Sequence, residues 1–136
     1  MSENNKLKIL LIEDDETLVR AYKDHFMRAG YDVGISLDGE DALEKVKIFH
    51  PDLILLDILM PKLDGISVLI KLKDDIETKE IPVIMLTNVG GGEKVKEAAQ
   101  AGAMIYFVKA DTSLAYLTGW INGIFFPQKV THERKF

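Results

Sequence analysis

The chain has 136 residues, 17 Lys and Arg against 22 Asp and Glu, a formal charge of −5 and no cysteine. A length of this order holds one hydrophobic core, and the lack of thiols excludes disulfides, thiolate metal sites and cysteine nucleophiles. The acidic balance speaks against direct nucleic acid binding, no apolar run approaches the ~20 residues of a membrane span, and the polar opening MSENNKLK is no secretion signal, so a cytoplasmic address is expected.

In chain order, short apolar runs alternate with helical spacings. Leu7 to Ile12 predicts a first strand, and Leu18, Tyr22 and Phe26 a helix closed by Gly30. Asp32 to Ser36 predicts a second strand, followed by a helix through Ala42, Leu43, Val46 and Phe49 that stops at His50-Pro51. Leu53 to Leu56, Pro82 to Thr87 and Met104 to Val108 read as three more strands, separated by helices at Ile66 to Lys73 and Glu93 to Ala101. A last helix is expected from Thr112 to Phe126. Five βα repeats imply a doubly wound α/β fold: a five-stranded parallel sheet with five helices over both faces. The domain is expected to span residues 7–126, with a tail at 1–6 and a tail or linker stub at 127–136.

Ligands of such sheets bind beyond the carboxyl ends of the strands. Here those ends carry Glu13, Asp14 and Asp15, then Asp57, then Thr87 and Asn88, then Lys109. Clustered carboxylates raise one another's pKa unless a cation offsets them, and carboxylates with water are the ligands Mg²⁺ takes. A hydroxyl and an ammonium group beside them suggest a phosphoryl ligand, whereas no glycine-rich nucleotide cradle is present. Asp15 and Asp64 read as helix caps, and His25, His50 and His132 share no metal-ligand spacing.

The segments LLIEDD, DLILLDILMPKLDG, PVIMLT and YFVK, at the ends of the first, third, fourth and fifth strands, resemble the receiver domain of bacterial response regulators, a flavodoxin-like fold. The resemblance implies that Asp57 accepts a phosphoryl group from a sensor histidine kinase or a phosphotransfer protein in two-component signalling. It implies that Glu13, Asp14, Asp57 and the Leu59 backbone carbonyl hold Mg²⁺, and that Thr87 and Lys109 contact the phosphoryl oxygens. Thr87 and Tyr106 would form the switch. The fourth helix, fifth strand and fifth helix would then meet a downstream effector or a second copy.

Several positions depart from the family pattern. Ala110 follows Lys109 where the family usually has a cis proline, Asn88 stands where a small residue is common, and Gly90 to Gly92 suggest a loop that orders on phosphorylation. Apolar Leu59 and Val89 are expected to hinder water and slow hydrolysis of the aspartyl phosphate. The last helix carries no charge from Thr112 to Gln128; Leu114, Leu117, Ile121 and Ile124 are expected to face the sheet, leaving Tyr116, Trp120 and Phe126 for a partner. Two other classes compete: a Mg²⁺-dependent phosphohydrolase with Asp57 as turning-over nucleophile, and a receiver-like module that is never phosphorylated. With about ten residues after the last helix, a stand-alone regulator or a piece of a longer protein is expected.

Overall fold

The structure is a computed structural model that describes residues 6–88 and 92–127. Strands β1 (Lys8–Ile12), β2 (Asp32–Ser36), β3 (Leu53–Leu56), β4 (Val83–Thr87) and β5 (Ile105–Val108) form one parallel sheet in the order β2-β1-β3-β4-β5. Between and after them run α1 (Glu16–Arg28), α2 (Gly39–Phe49), α3 (Gly65–Asp74), α4 (Gly92–Ala101) and α5 (Leu114–Phe125). The doubly wound fold read from the sequence is the fold observed.

Strand residues alternate between two cores, as the two-residue period of a β-strand requires. Leu10, Ile12, Ile54, Leu56, Val83 and Met85 pack under α2, α3 and α4, while Ile9, Leu11, Leu53, Leu55, Ile84 and Leu86 pack under α1 and α5. Burial on both faces is why these strands read as unbroken apolar runs. Helix starts are set by side-chain caps: Asp15 accepts from the Thr17 and Leu18 amides, Asp38 from Asp41, Asp64 from Ser67 and Ser113 from Tyr116. Gly30 and Gly102 follow α1 and α4 with φ of 96° and 107°, conformations in which L side chains are strained.

Several boundaries differ from expectation by one or two residues, two of them for identifiable reasons. β4 begins at Val83, because Pro82 has no N–H to donate, although its carbonyl still accepts from Ile54 at 3.0 Å. The fifth helix begins at Leu114 and ends at Phe125 rather than running from Thr112 to Phe126. Thr112 instead turns its hydroxyl back to the Val108 carbonyl at 2.8 Å, and a single 3₁₀ turn, Lys109–Asp111, intervenes. No peptide bond among the described residues is cis, so Lys109-Ala110 is trans.

The uncharged last helix places its polar groups inward. Thr118 Oγ1 pairs with His25 Nε2 at 2.8 Å, and the Tyr31 hydroxyl donates to Asn122 Oδ1. Leu117 and Ile121 are buried and Leu114 packs against the same core, but Phe125 rather than Ile124 completes that face.

Two glycines let the site loops approach their neighbours. A Cβ on Gly65 would lie 2.0 Å from the Asp57 carbonyl oxygen, and one on Gly39 would lie 1.9 Å from that of Leu63; nothing lies within 4 Å of one on Gly119. Gly65→Ala and Gly39→Ala are each expected to cost about 3 kcal/mol in urea unfolding, whereas Gly119→Ala, in mid-helix, gains about 0.5 to 1 kcal/mol. Equal stability of all three variants would contradict this packing.

Candidate functional site

β1 and β3 are neighbours at the point where the strand order reverses, so the residues that follow them share one crevice. The Glu13 amide donates to the Ser36 carbonyl at 3.0 Å and the Asp57 amide to the Ile12 carbonyl at 3.1 Å. These bonds carry the sheet pattern one residue past each strand and turn both carboxylates into the crevice. Glu13 is 2% exposed, Asp57 6% and Thr87 1%, while Asp14 stands in solvent at the mouth. Glu13, Asp14 and Asp57 each offer an oxygen within 4.8 Å of the others.

Lys109 enters from the end of β5 and bridges two of these acids. Its Nζ donates to Glu13 Oε1 and, at 3.2 Å, to Asp57 Oδ2. Asp57 Oδ1 is buried and has no hydrogen-bond partner among the described residues. The Asp15 amide, at 3.1 Å, takes the second oxygen of Glu13. Burial pushes the Glu13 carboxyl above its ordinary value, and the Asp57 charge adds to this against the opposing bonds from Lys109 and Asp15. Burial alone would push Lys109 down, but the Glu13 bond and the charges of Asp57 and Glu13 outweigh it, so its pKa is raised.

Three carboxylates against one ammonium leave a formal surplus of two negative charges in the pocket. A buried carboxylate oxygen without a protein donor is unusual in a folded protein, and ordered water, a cation or a covalent partner satisfies such a group. The all-oxygen donor set, partly open to water at Asp14, fits a hard divalent ion better than a thiophilic one.

The other residues singled out in the sequence are placed as follows. Tyr106, opposite Met85 in the sheet, is half-buried against the α3 and α4 core, and its hydroxyl pKa is raised by burial and by the Asp57 charge. The Leu59 side chain is 64% exposed beside the loop that Gly65 closes with a 2.8 Å bond to the Ile58 carbonyl. Tyr116 is 59% exposed; Trp120 is half-buried, its ring edge-on to Phe107 at 5.4 Å. Val89, Gly90, Gly91 and His132 lie outside the described residues. Two groups were missed. Tyr22 of α1 lies near enough for Lys109, Glu13 and Asp57 to act on its hydroxyl, yet its spacing marked it only as core. The Asn88 side chain accepts from the Ala110 amide at 3.0 Å, a bond no sequence pattern signals.

The profile of the response regulator receiver domain family matches residues 9–115. The chain belongs to that family. It is similar to the alkaline phosphatase synthesis transcriptional regulatory protein PhoP of Bacillus subtilis, 44% identical over 80 residues, which is 59% of this chain and 32% of that protein. Among solved structures it resembles the receiver domain of the Francisella response regulator 1452, at 31% identity and a TM-score of 0.78 over 86% of this chain and 94% of that one. It also resembles the Vibrio cholerae chemotaxis response regulator CheY4, at 26% identity and a TM-score of 0.80 over 87% and 98%. The chain spans less than half the length of the first curated relatives it matches, from 22% to 44%. Among the described residues no helix is long and apolar enough to cross a membrane.

The Lys109 shift carries a pH prediction. Its folded pKa lies above the ordinary 10.5, so its charged form stabilises the native state below pH 10.5 and that contribution is lost as pH rises through the folded value. Without metal, Lys109→Met should be less stable than wild type by about 1 to 3 kcal/mol at pH 7, and the gap should close above pH 10.5. Chemical denaturation across that range tests it, and a gap that widens with pH would refute it.

Proposed function

We propose that this receiver domain is a phosphorylation-controlled switch in which Asp57 is the phosphoryl acceptor. The observation that supports this most directly is the buried Asp57 carboxylate, with Oδ2 held by Lys109 and Oδ1 unpartnered. A carboxylate with free lone pairs beside a fixed ammonium is a competent nucleophile toward phosphorus, because phosphoryl transfer needs mainly positioning and charge neutralisation. An Asp57 oxygen forms the new P–O bond as the donor's P–N bond breaks, and the leaving imidazole keeps the electron pair. Lys109 then faces a dianionic group instead of a monoanionic one. The buried Thr87 hydroxyl donates to a second phosphoryl oxygen, and Tyr106 fills the space that Thr87 vacates.

Glu13, Asp14, Asp57 and the Leu59 carbonyl are the proposed ligands of Mg²⁺, which when bound offsets the negative charge gathered around the transferred group. The phosphoryl donor is a histidine kinase or a phosphotransfer protein, the site of action is the cytoplasm, and the domain acts as a switch rather than a turning-over hydrolase. Leu59 offers no group to orient an attacking water, which favours a long-lived adduct.

Incubation with acetyl phosphate and Mg²⁺ should add one phosphoryl mass to the intact chain, absent in Asp57→Asn, and Leu59→Asn should shorten the adduct's life several-fold. Continuous phosphate release would favour the hydrolase, and no adduct at all the unphosphorylated module. On the output side, Val95, Met104 and Tyr116 are exposed on α4, before β5 and on α5, and support docking of an effector or a second copy across that face. Tyr116→Glu, at an exposed position, is expected to weaken self-association or effector binding at least ten-fold by ultracentrifugation or calorimetry; unchanged binding would exclude Tyr116 from the interface.

A further inference from the structure

One hydrogen bond beyond the end of the sheet joins the two loops that carry Thr87 and Lys109. The Ala110 amide donates to Asn88 Oδ1 at 3.0 Å. Thr87 and Val108 are the last register pair of β4 and β5, and there the two chains part, one toward α4 and the other into the 3₁₀ turn. The Asn88 side chain, one residue past β4, supplies an acceptor to the amide two residues past β5, adding one rung beyond the ladder. Val108 is held by the sheet and by the Thr112 hydroxyl on its carbonyl, and Ala110 is held by Asn88. The backbone of Lys109 is thereby gripped from both sides. A lysine side chain has four rotatable bonds and large rotamer freedom, so the placement of its ammonium depends on a fixed root.

We propose that Asn88 is a positioning residue for phosphoryl transfer: through the Ala110 amide it fixes Lys109 relative to Thr87, so that both groups facing the phosphoryl oxygens move as one unit. This rests on the phosphoacceptor reading of Asp57. Both residue types are needed. Asparagine offers a carbonyl acceptor on a short stem, and position 110 must carry an N–H, which alanine has and proline lacks. The same bond gives a displacement of Thr87 a path to the last helix: Asn88 follows Thr87 in the chain, Ala110 follows Asn88 through the bond, and Ser113, three residues on, caps α5.

Asn88 is exposed, so Asn88→Leu and Asn88→Asp, of similar shape, remove or retain the acceptor with little effect on packing. In the full chain, four quantities are measured: Ala110 amide exchange and the Lys109 side-chain Cε shift by NMR, the rate of adduct formation with acetyl phosphate and Mg²⁺, and Mg²⁺ affinity by titration. Asn88→Leu should speed Ala110 exchange and slow adduct formation by about five-fold each, and should move the Lys109 signal. Its Mg²⁺ affinity should stay within about two-fold, a split that general loss of the pocket would not produce. Asn88→Asp, which keeps the acceptor but adds a negative charge near the phosphoryl site, should restore exchange and signal. Unaltered Ala110 exchange or Lys109 signal in Asn88→Leu, failure of Asn88→Asp to restore them, or a parallel loss of Mg²⁺ affinity would each overturn the proposal. If the wild type forms no adduct, the phosphoacceptor reading falls, while exchange and the Lys109 signal still decide whether Asn88 positions Lys109.

Discussion

The ammonium group of Lys109, held between Glu13 and Asp57, is the interaction on which the arrangement of the strand ends depends. β5 and β1 are three strand intervals apart, roughly 14 Å at the spacing of a sheet. Only long side chains converge across that gap. Lysine reaches from one edge and glutamate, one methylene longer than aspartate, from the other, with Asp57 of the intervening β3 between them. Burial works against each charge separately, raising Glu13 and by itself lowering Lys109, yet the pairing leaves Lys109 above its ordinary value. The ion pairs therefore outweigh the loss of hydration for the cation, while Glu13 stays partly unfavourable.

That residual imbalance sets the pocket apart from the rest of the core. A core built only for stability would match its buried charges and leave no carboxylate oxygen without a donor. Here two surplus negative charges and the unpartnered Oδ1 of Asp57 remain, and the loop around them is closed by a glycine whose backbone approach admits no side chain. Stability has been forgone at one place, and the tightly packed interior strands on either side hold that place in shape.

The fold was legible because buried parallel strands leave continuous apolar runs: LILL and VIMLT have one physical reading when glycine, proline and helical spacings flank them. The acids were legible because chemistry gathers at strand ends in this architecture. What escaped was decided by side chains bonding to distant backbone. Thr112 reads as a helix start until its hydroxyl turns to Val108, and Asn88 and Ala110 read as two unrelated departures until one bond joins them. Residues 22 apart give no periodic signal for such a contact. The last helix was ambiguous for a similar reason. Its lack of charge points to a partner surface, and only the inward bonds of Thr118 and Asn122 and the packing of Trp120 on Phe107 and the core show how much of its surface the domain itself covers.

For the proposed phosphorylation of Asp57, the same topology sets which strands can move at low cost. β1, β3 and β4 are hydrogen-bonded on both edges and buried on both faces, so moving any of them breaks two ladders and two cores. β5 is bonded on one edge only, to β4, and all four of its residues are half-buried. Displacing it, or the 3₁₀ turn behind it, therefore costs less than displacing an interior strand, as holds also for β2 at the opposite edge. Lys109 stands on that compliant element, Phe107 within it touches both Tyr116 and Trp120, and Tyr106 faces the opposite core. The strand that leads into Lys109 is thus also the strand whose Phe107 ring packs against α5. The two buried acids thus follow interior strands, β1 and β3, and the cation that pairs with them follows an edge strand, β5.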